Sequence, residues 1–160
     1  MDRKPKYRLL ISQNGGSVVD VFDSFGMACQ EFPYKMFPET KELAKQDQSQ
    51  EHGESVHIPD GGINFKAYDL EAVFLYSGDE ASVMSSDLRR FTEFLYGRNA
   101  GGSPLLSVYD EYTKIGLSGL YVLSVDNDLF FHDDHNENTI SRIKVKFRVT
   151  DPTNVISSLR

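Results

Sequence analysis

The clearest pattern in the chain is a change of hydrophobic period between residues 63 and 96. In residues 65–76, apolar and aromatic side chains alternate with other residues, which predicts a long strand with one face on a core. After a break at residues 77–80, the apolar residues recur at helical spacing and their neighbours are charged. An amphipathic helix of about residues 83–96 is therefore expected to follow the strand. Its predicted apolar stripe comprises Met84, Leu88, Phe91 and Leu95.

Shorter apolar runs on both sides of this stretch predict the rest of a sheet. Residues 7–12 and 17–22 flank Asn14-Gly15, which indicates a type I′ hairpin turn with positive φ at both central residues. The most regular strand is expected at residues 143–149, where apolar and basic residues alternate, so that one face is buried and the other is wet. Further strands are expected at residues 27–36, 55–59, 104–109, 112–115 and 120–125.

These elements predict one mainly β (α+β) domain covering residues 1–160. A chain of 160 residues with 39% apolar and 12% aromatic content can fill one core but hardly two. The predicted fold is an antiparallel β-sandwich or barrel of about 7–9 strands with one amphipathic helix packed on it. Ser82, Ser85 or Ser86 is expected to cap that helix and Gly97 to end it.

Two polar segments interrupt the apolar pattern. Residues 39–54 are nearly free of aromatics and predict a long, exposed, mobile loop that a neighbouring subunit could order. Residues 126–138 are acidic and are interpreted as a solvated loop between two strands. Phe130 and Phe131 would then either lie under that loop or mark a contact surface.

The acidic run offers weak candidates for a metal site. Carboxylate oxygens suit Ca²⁺, but the calcium-loop pattern needs glycine at its sixth position, where this chain has Phe131. His132 and His135 lie three residues apart in a predicted loop, which is poor spacing for a transition metal. No metal is therefore expected. The weak candidates are Asp126, Asp128, Asp133 and Asp134.

Composition excludes several classes of function. A net charge of −7 argues against nucleic acid as a partner, because phosphate needs a positive surface. No stretch approaches the roughly 20 apolar residues of a membrane span, and no signal-peptide core follows the charged N-terminus, so synthesis in a cytoplasm is expected. Cys29 is the single cysteine, which excludes an internal disulfide and a Cys-rich zinc site.

No motif for a positioned nucleophile, a general base or a phosphate-binding loop is present. We therefore expect no enzyme activity, no catalytic residues and no cofactor. Cys29 is interpreted as a small buried apolar residue. The basic row formed by Arg142, Lys144, Lys146 and Arg148 is interpreted as a solvated face or as a mate for acidic groups on a neighbour.

The order of elements from His52 to Pro152 resembles that of one structural family. A Gly-containing segment at residues 51–54 precedes the long strand at 65–76. A helix of the form Asp-Leu-x-x-Phe-x-x-Phe-Leu follows at residues 87–95. A strand with an acidic turn and an aromatic lies at 105–112, and a long last strand runs into Asp151-Pro152. This order resembles the ring-forming N-terminal domain of phage distal tail proteins, which join the tail tube to the baseplate hub.

The resemblance implies a structural component of a bacteriophage or prophage tail that forms a homo-oligomeric ring, a hexamer in that family. Partners would be other copies and neighbouring tail proteins, and the protein would reside in the virion after synthesis in the bacterial host. Tail-tube and tail-terminator proteins share related architecture, so the position in the tail stays open. The sequence stops near Arg160, so no second, receptor-binding domain is expected. The candidate interface residues are Glu51, His52, Glu54, Phe130, Phe131, Arg142, Lys144, Lys146 and Arg148.

Two alternatives remain at this point. One is a carbohydrate-binding β-sandwich module that uses Tyr and Phe side chains, with Ca²⁺ at the acidic run. The other is an unrecognised hydrolase whose catalytic groups converge from distant parts of the chain, which would require perturbed titratable groups in one deep cleft.

Overall fold

The computed structural model describes residues 5–47, 52–78, 81–133 and 138–159, and most of its regular elements are strands. Two helices interrupt them, of which one is short. The elements in chain order are β1 (Leu9–Gln13), β2 (Val18–Asp20), α1 (Val21–Phe25), β3 (Met27–Glu31), β4 (Ala44–Asp47), β5 (Glu54–His57), β6 (Tyr68–Gly78), α2 (Ala81–Leu95), β7 (Leu106–Asp110), β8 (Ile115–Asp133), β9 (Asn138–Val149) and β10 (Val155–Ile156).

Eight of the strands form one antiparallel sheet in the order β2-β1-β7-β8-β9-β6-β3, with β10 paired to β8. The two edge strands, β2 and β3, are joined only by α1 and Gly26. A five-residue helix spans only roughly 8 Å, at about 1.5 Å per residue. The sheet must therefore curl until its two edges approach each other at α1, which gives it the shape of a partly open barrel.

The core lies on the inner face of this curled sheet, beneath α2. Tyr68, Leu70, Ala72, Phe74 and Tyr76 of β6 are all buried, as their alternation predicted. The inward row of β9, Ile143 to Val149, is also buried.

Helix α2 covers that core with the predicted stripe. Met84, Phe91 and Leu95 are buried, and Leu88 is half-buried against the core. The Phe91 ring lies 5.3 Å from the Phe25 ring and 5.5 Å from the Phe74 ring, measured between centroids. The predicted mainly β fold with one main helix packed on it is confirmed. Neither helix in the described part of the chain is long and apolar enough to cross a bilayer.

The predicted N-terminal hairpin is confirmed, but its turn type is different. Ile11 pairs with Val19, and Gly16 N–H donates to Gln13 O at 2.7 Å. Gly15 has φ of 76°, whereas Lys114 is the one non-glycine residue with positive φ in the described ranges. Asn14 therefore lacks the positive φ of a type I′ turn, and glycine supplies the single left-handed residue.

Helix α1 was not predicted, because its residues continue an apolar run that indicated a strand up to Phe22. Asp20 caps it: the carboxylate accepts from the N–H groups of Phe22 at 2.9 Å and Asp23 at 3.3 Å. Gly26 ends it with φ of 71°. At α2 the expected serine caps are wrong, since Ser82, Ser85 and Ser86 lie inside the helix. Gly97 ends α2 as predicted, with φ of 68°.

The interpretation of residues 126–138 as a loop is wrong at residues 126–133 and at Asn138, and residues 134–137 lie outside the described ranges. Residues 126–133 continue β8, Asn138 begins β9, and Asp133 pairs with Asn138. Of the separate strands expected at 112–115 and 120–125, the second lies in β8, which begins at Ile115, and residues 111–114 form a turn before it. The hairpin partner satisfies the backbone groups, so polar side chains do not have to end the strand.

Candidate protein-interaction site

A long excursion leaves the sheet between β3 and β6, and we name residues 39–66 the arm. At its base Thr40 bridges Phe65, Lys41 N–H donates to Asn64 O at 2.8 Å, and Lys66 N–H donates to Glu39 O at 2.7 Å. The two sides of the arm are therefore held together as antiparallel backbone before β4 and β5 begin. These backbone hydrogen bonds give the arm a defined direction away from β6.

Strands β4 and β5 of the arm form their own two-stranded sheet, separate from the main sheet. Ala44 pairs with His57, and Asp47 pairs with Glu54. The prediction of a loop over residues 39–54 is therefore wrong at β4 and at Glu54, for the same reason as in β8: polar residues form a strand when a partner strand is available. Residues 48–51 lie outside the described ranges.

The arm exposes apolar side chains instead of burying them. None of its residues belongs to the hydrophobic core cluster. The exposed fraction is 58% at Ile58 and 40% at Val56, and Phe37, immediately before the arm, is 92% exposed. A two-stranded hairpin on its own is marginally stable in water. An arm of this kind gains stability when another surface covers it.

The predicted interface residues lie on two different parts of the molecule. His52 and Glu54 are exposed on the arm, and Glu51 lies outside the described residues. Phe130 and Phe131 lie on β8, paired with Ser141 and Ile140 of β9, far along the chain from the arm. The structure therefore brings neither pair of residues to the other, and each remains a separate candidate surface.

The basic row of β9 points to the outer face of the sheet, as predicted, but acidic residues of the same chain accompany it. Arg148 Nη1 lies 2.8 Å from Asp69 Oδ1, and Lys144 Nζ lies 3.9 Å from Glu71 Oε1, both across the β6–β9 pair. Lys146 is exposed, and Arg142 is half-buried. Exposed ion pairs of this kind contribute about 0–1 kcal/mol each. They partly neutralise the row that was expected to attract a neighbour.

The acidic candidates for a metal site are in strands. Asp126 is exposed on β8 and lies opposite Lys144 of β9 in the register. Asp128 and Asp133 lie on the same strand, and Asp134 falls outside the described residues. Within the described ranges, no group of three or more His, Cys, Asp or Glu side chains could hold a metal ion. The carbohydrate-binding alternative placed Ca²⁺ in a loop at residues 126–138, but residues 126–133 of that segment belong to strand β8.

A cleft that the sequence did not reveal lies where the two edges of the curled sheet approach. It measures about 320 Å³ and lies between β3 and the segment that leads into β1. We name it the seam cleft. The Tyr7 and Tyr112 rings meet edge to face with centroids 5.1 Å apart, and Lys6 Nζ lies 5.3 Å from the Tyr7 ring centroid. Other lining residues are Arg8, Cys29 and Gln30. Because they come from three distant parts of the chain, no local motif indicated the cleft.

Cys29 in the seam cleft is a neutral thiol. Burial, and secondarily the negative charge of Asp110, raises its pKa to about 12. The thiol donates a hydrogen bond to Glu31 O, with an S–O distance of 3.5 Å. A thiol that is not ionised near neutral pH is a poor nucleophile. Cys29 is half-buried rather than fully buried, and it packs against the core as the sequence interpretation expected.

Comparison with known proteins identifies solved structures of related architecture. No protein-family model and no curated protein matches the chain. Phage SPP1 Dit matches with a TM-score of 0.54 and 14% sequence identity. In fold, the chain is similar to a phage distal tail protein. The Dit structure is described as a paradigm of the hub adsorption apparatus in phages that infect Gram-positive bacteria.

The match covers 90% of this chain and 50% of Dit, so the chain spans about half the length of that protein. At this identity the similarity concerns the fold. The resemblance to distal tail proteins that the order of elements predicted is confirmed at that level.

Proposed function

We propose that this protein is a structural component of a bacteriophage or prophage tail, in which copies associate into a ring that joins the tail tube to the baseplate. The observation that carries the proposal is the similarity of fold to SPP1 Dit along 90% of the chain. In this role the protein binds other proteins and catalyses no reaction. It would be found in the virion after synthesis in the bacterial host.

The arm supports a role in assembly. The apolar side chains of Ile58, Val56 and Phe37 are exposed to solvent in the single subunit. Burial of apolar surface against another subunit contributes roughly 25 cal/mol per Å² to association. If the arm of one copy binds a different surface of the next copy, the contact joins two unlike patches. Contacts between unlike patches produce rings when the rotation closes. Six copies is the number that the family resemblance implies.

The β8–β9 hairpin is a second surface for the proposed role. Its distal part comprises residues 126–133 of β8, including Phe130 and Phe131, and the start of β9 at Asn138. We assign this hairpin to contact with an adjoining tail protein, with the exposed Lys146 on the same outer face as an electrostatic contributor.

The test is the mass of the protein in solution. Light scattering after size-exclusion chromatography, over a range of protein concentrations, should show a species of several times 18.1 kDa, and negative-stain images should show rings. Antibody detection of the protein in purified phage or induced prophage particles completes the test. A protein that stays monomeric at the highest concentration and is absent from particles would contradict the proposal.

A further inference from the structure

We propose that the seam cleft of one copy receives the arm of the next copy, with an arm strand pairing along the open edge of β3. This inference depends on the proposed ring function and names the contact that would build the ring. Four observations support it: an uncovered strand edge, a strand pair without a core, complementary charge, and apolar residues on one side of the arm.

The first observation is that β3 forms one end of the main sheet. It pairs with β6 on one side, and no described strand pairs with it on the other. Natural proteins protect such edges with charged residues, proline or bulges; β3 has Glu31 and a bulge between Cys29 and Glu31, so its unprotected part is residues 27–29. Gln30 of β3 is exposed, and the seam cleft lies beside it. An extended segment of another chain could therefore join the sheet at this edge by strand addition.

The second observation is that the arm offers strands of this kind. Strands β4 and β5 pair with each other, and in the described structure neither is joined to the main sheet. Adding the arm to β3 would extend an existing sheet instead of leaving a hairpin that is only marginally stable alone.

The third observation is charge. The arm carries six acidic and three basic residues, whereas residues 5–8, which line the cleft, carry two basic residues and no acidic one. Within that basic segment, Arg8 is engaged with Asp20 and Asp23 of its own subunit, at 3.4 and 3.1 Å. Lys6 forms no ion pair among those described and contacts the Tyr7 ring, so its ammonium group can meet an incoming carboxylate.

The carboxylates at the rim of the cleft remain charged, but local donors fix their positions. Asp110 accepts from Tyr112 N–H at 3.0 Å and from Thr113 Oγ1 at 3.4 Å, within its own turn. Glu111 Oε2 accepts from Arg8 N–H at 3.3 Å. Both side chains are directed to local donors, which leaves Lys6 as the charged group for an acidic segment.

The fourth observation is the pattern of β5 and the residue that follows it. Val56 and Ile58 are two residues apart, so they point to the same side of extended backbone. Phe32 and Tyr7 give the cleft apolar walls of the kind these side chains need. A cleft of about 320 Å³ accommodates a few side chains and not a whole hairpin. The expected arrangement therefore places the two apolar side chains in the cleft and the backbone along β3.

Cys29 allows a direct test, because it is the single cysteine in the chain and lines the cleft. Val56→Cys should form a disulfide with Cys29 of the next copy under copper–phenanthroline oxidation at alkaline pH. A disulfide requires Cα atoms about 4.4–6.8 Å apart. The expected result is a ladder of covalent multimers on a denaturing gel. The matched control is Val83→Cys on α2, which is 49% exposed against 40% for Val56 and should give no ladder.

The double variant Val56→Cys with Cys29→Ser should lose the ladder and keep at most dimers. With one cysteine per chain this variant can form nothing larger than a dimer, so a dimer band as strong as that of Val56→Cys alone would overturn the inference, because the new cysteine would then be reacting elsewhere.

Charge reversal gives an independent readout. Lys6→Glu and Glu54→Lys should each weaken assembly about threefold to tenfold, the range of an ion pair worth about 1 kcal/mol, and the double reversal should restore it. Glu93→Lys on the exposed side of α2 serves as the control. Rings of unchanged stability without a Cys29 cross-link would overturn the arm–cleft contact and leave the ring function intact. A protein that is monomeric throughout would overturn both.

Discussion

At the scale of single residues, the seam cleft determines the chemistry of Cys29. A cysteine in a cleft with lysine, arginine and tyrosine invites the interpretation of a reactive nucleophile. The structure argues the opposite, because burial and the nearby Asp110 disfavour the thiolate and raise the pKa of Cys29 from its ordinary value of 9.0 to about 12. The hydrolase alternative would need this pKa to be lowered.

The pH dependence of alkylation checks this assignment. We expect the rate of Cys29 modification by iodoacetamide to keep rising about tenfold per pH unit up to the limit set by unfolding, because the thiolate fraction still increases below a pKa of about 12. A denatured sample should instead level off near its ordinary pKa of 9.0. Since the folded pKa is raised, the unfolded state binds fewer protons above about pH 9, and stability falls as pH rises from there towards 12. A folded-state rate that levels off near pH 9 would contradict the assignment.

At the scale of elements, the end of α2 is determined by a local glycine and by one contact with a distant part of the chain. Gly97 takes φ of 68°, and Arg98 N–H donates to Glu93 O at 2.8 Å, which closes the last turn. The loop that follows is fixed to β1 by Gln13, whose buried amide donates to Phe94 O at 2.9 Å and to Asn99 Oδ1 at 2.7 Å. The glycine was predictable from sequence. The Gln13 contact was not, because it joins residues more than eighty positions apart.

Gly97 and Gly101 form a matched pair for a stability test. Both have positive φ, of 68° and 69°, but a Cβ at Gly97 would overlap the backbone of Ser103 and Pro104, whereas at Gly101 it would meet open space. We expect Gly101→Ala to cost about 1–2 kcal/mol of unfolding free energy, from the left-handed backbone alone. Gly97→Ala should cost about 1–3 kcal/mol more, the usual penalty of overpacking. Urea denaturation of both variants measures the difference, and equal losses would show that the backbone of residues 103–104 moves freely away.

Prediction from sequence succeeded where side-chain burial repeats regularly. In β6, β9 and α2 one face meets the core, so the alternation or the helical stripe records the structure directly. It failed in β4 and in the distal part of β8, where the backbone of a partner strand supports polar residues. It also failed at α1, whose five residues are set by the Asp20 cap and Gly26 instead of periodicity. The seam cleft could not be predicted from the sequence, because its lining residues come together only when the sheet curls.

At the scale of the whole molecule, α1 and the arm have opposite roles. Helix α1 joins the two sheet edges and holds the curl, and Arg8 reinforces it by pairing with Asp20 and Asp23 on either side of the start of α1. The arm contributes nothing to the core that results. In the proposed ring, the curled sheet would therefore provide the stability of the subunit, and the arm would provide its contact with other subunits.

Removal of the arm should therefore separate folding from assembly. Lys41 and Asn64 already pair through their backbones, so residues 42–63 can be replaced by an Asn-Gly turn without moving the base of the arm. We expect the unfolding free energy of this variant, from urea denaturation at low protein concentration, to stay within about 1 kcal/mol of the parent, because no core contact is lost. Light scattering should show that the variant no longer forms rings at concentrations where the parent does. The matched control for assembly inserts two glycines between Gly101 and Gly102, in the loop after α2, and the rings of this variant should be unchanged. A shortened protein that still forms rings would show that the subunits associate through the body of the sheet, and one that fails to fold would show that the arm stabilises the monomer.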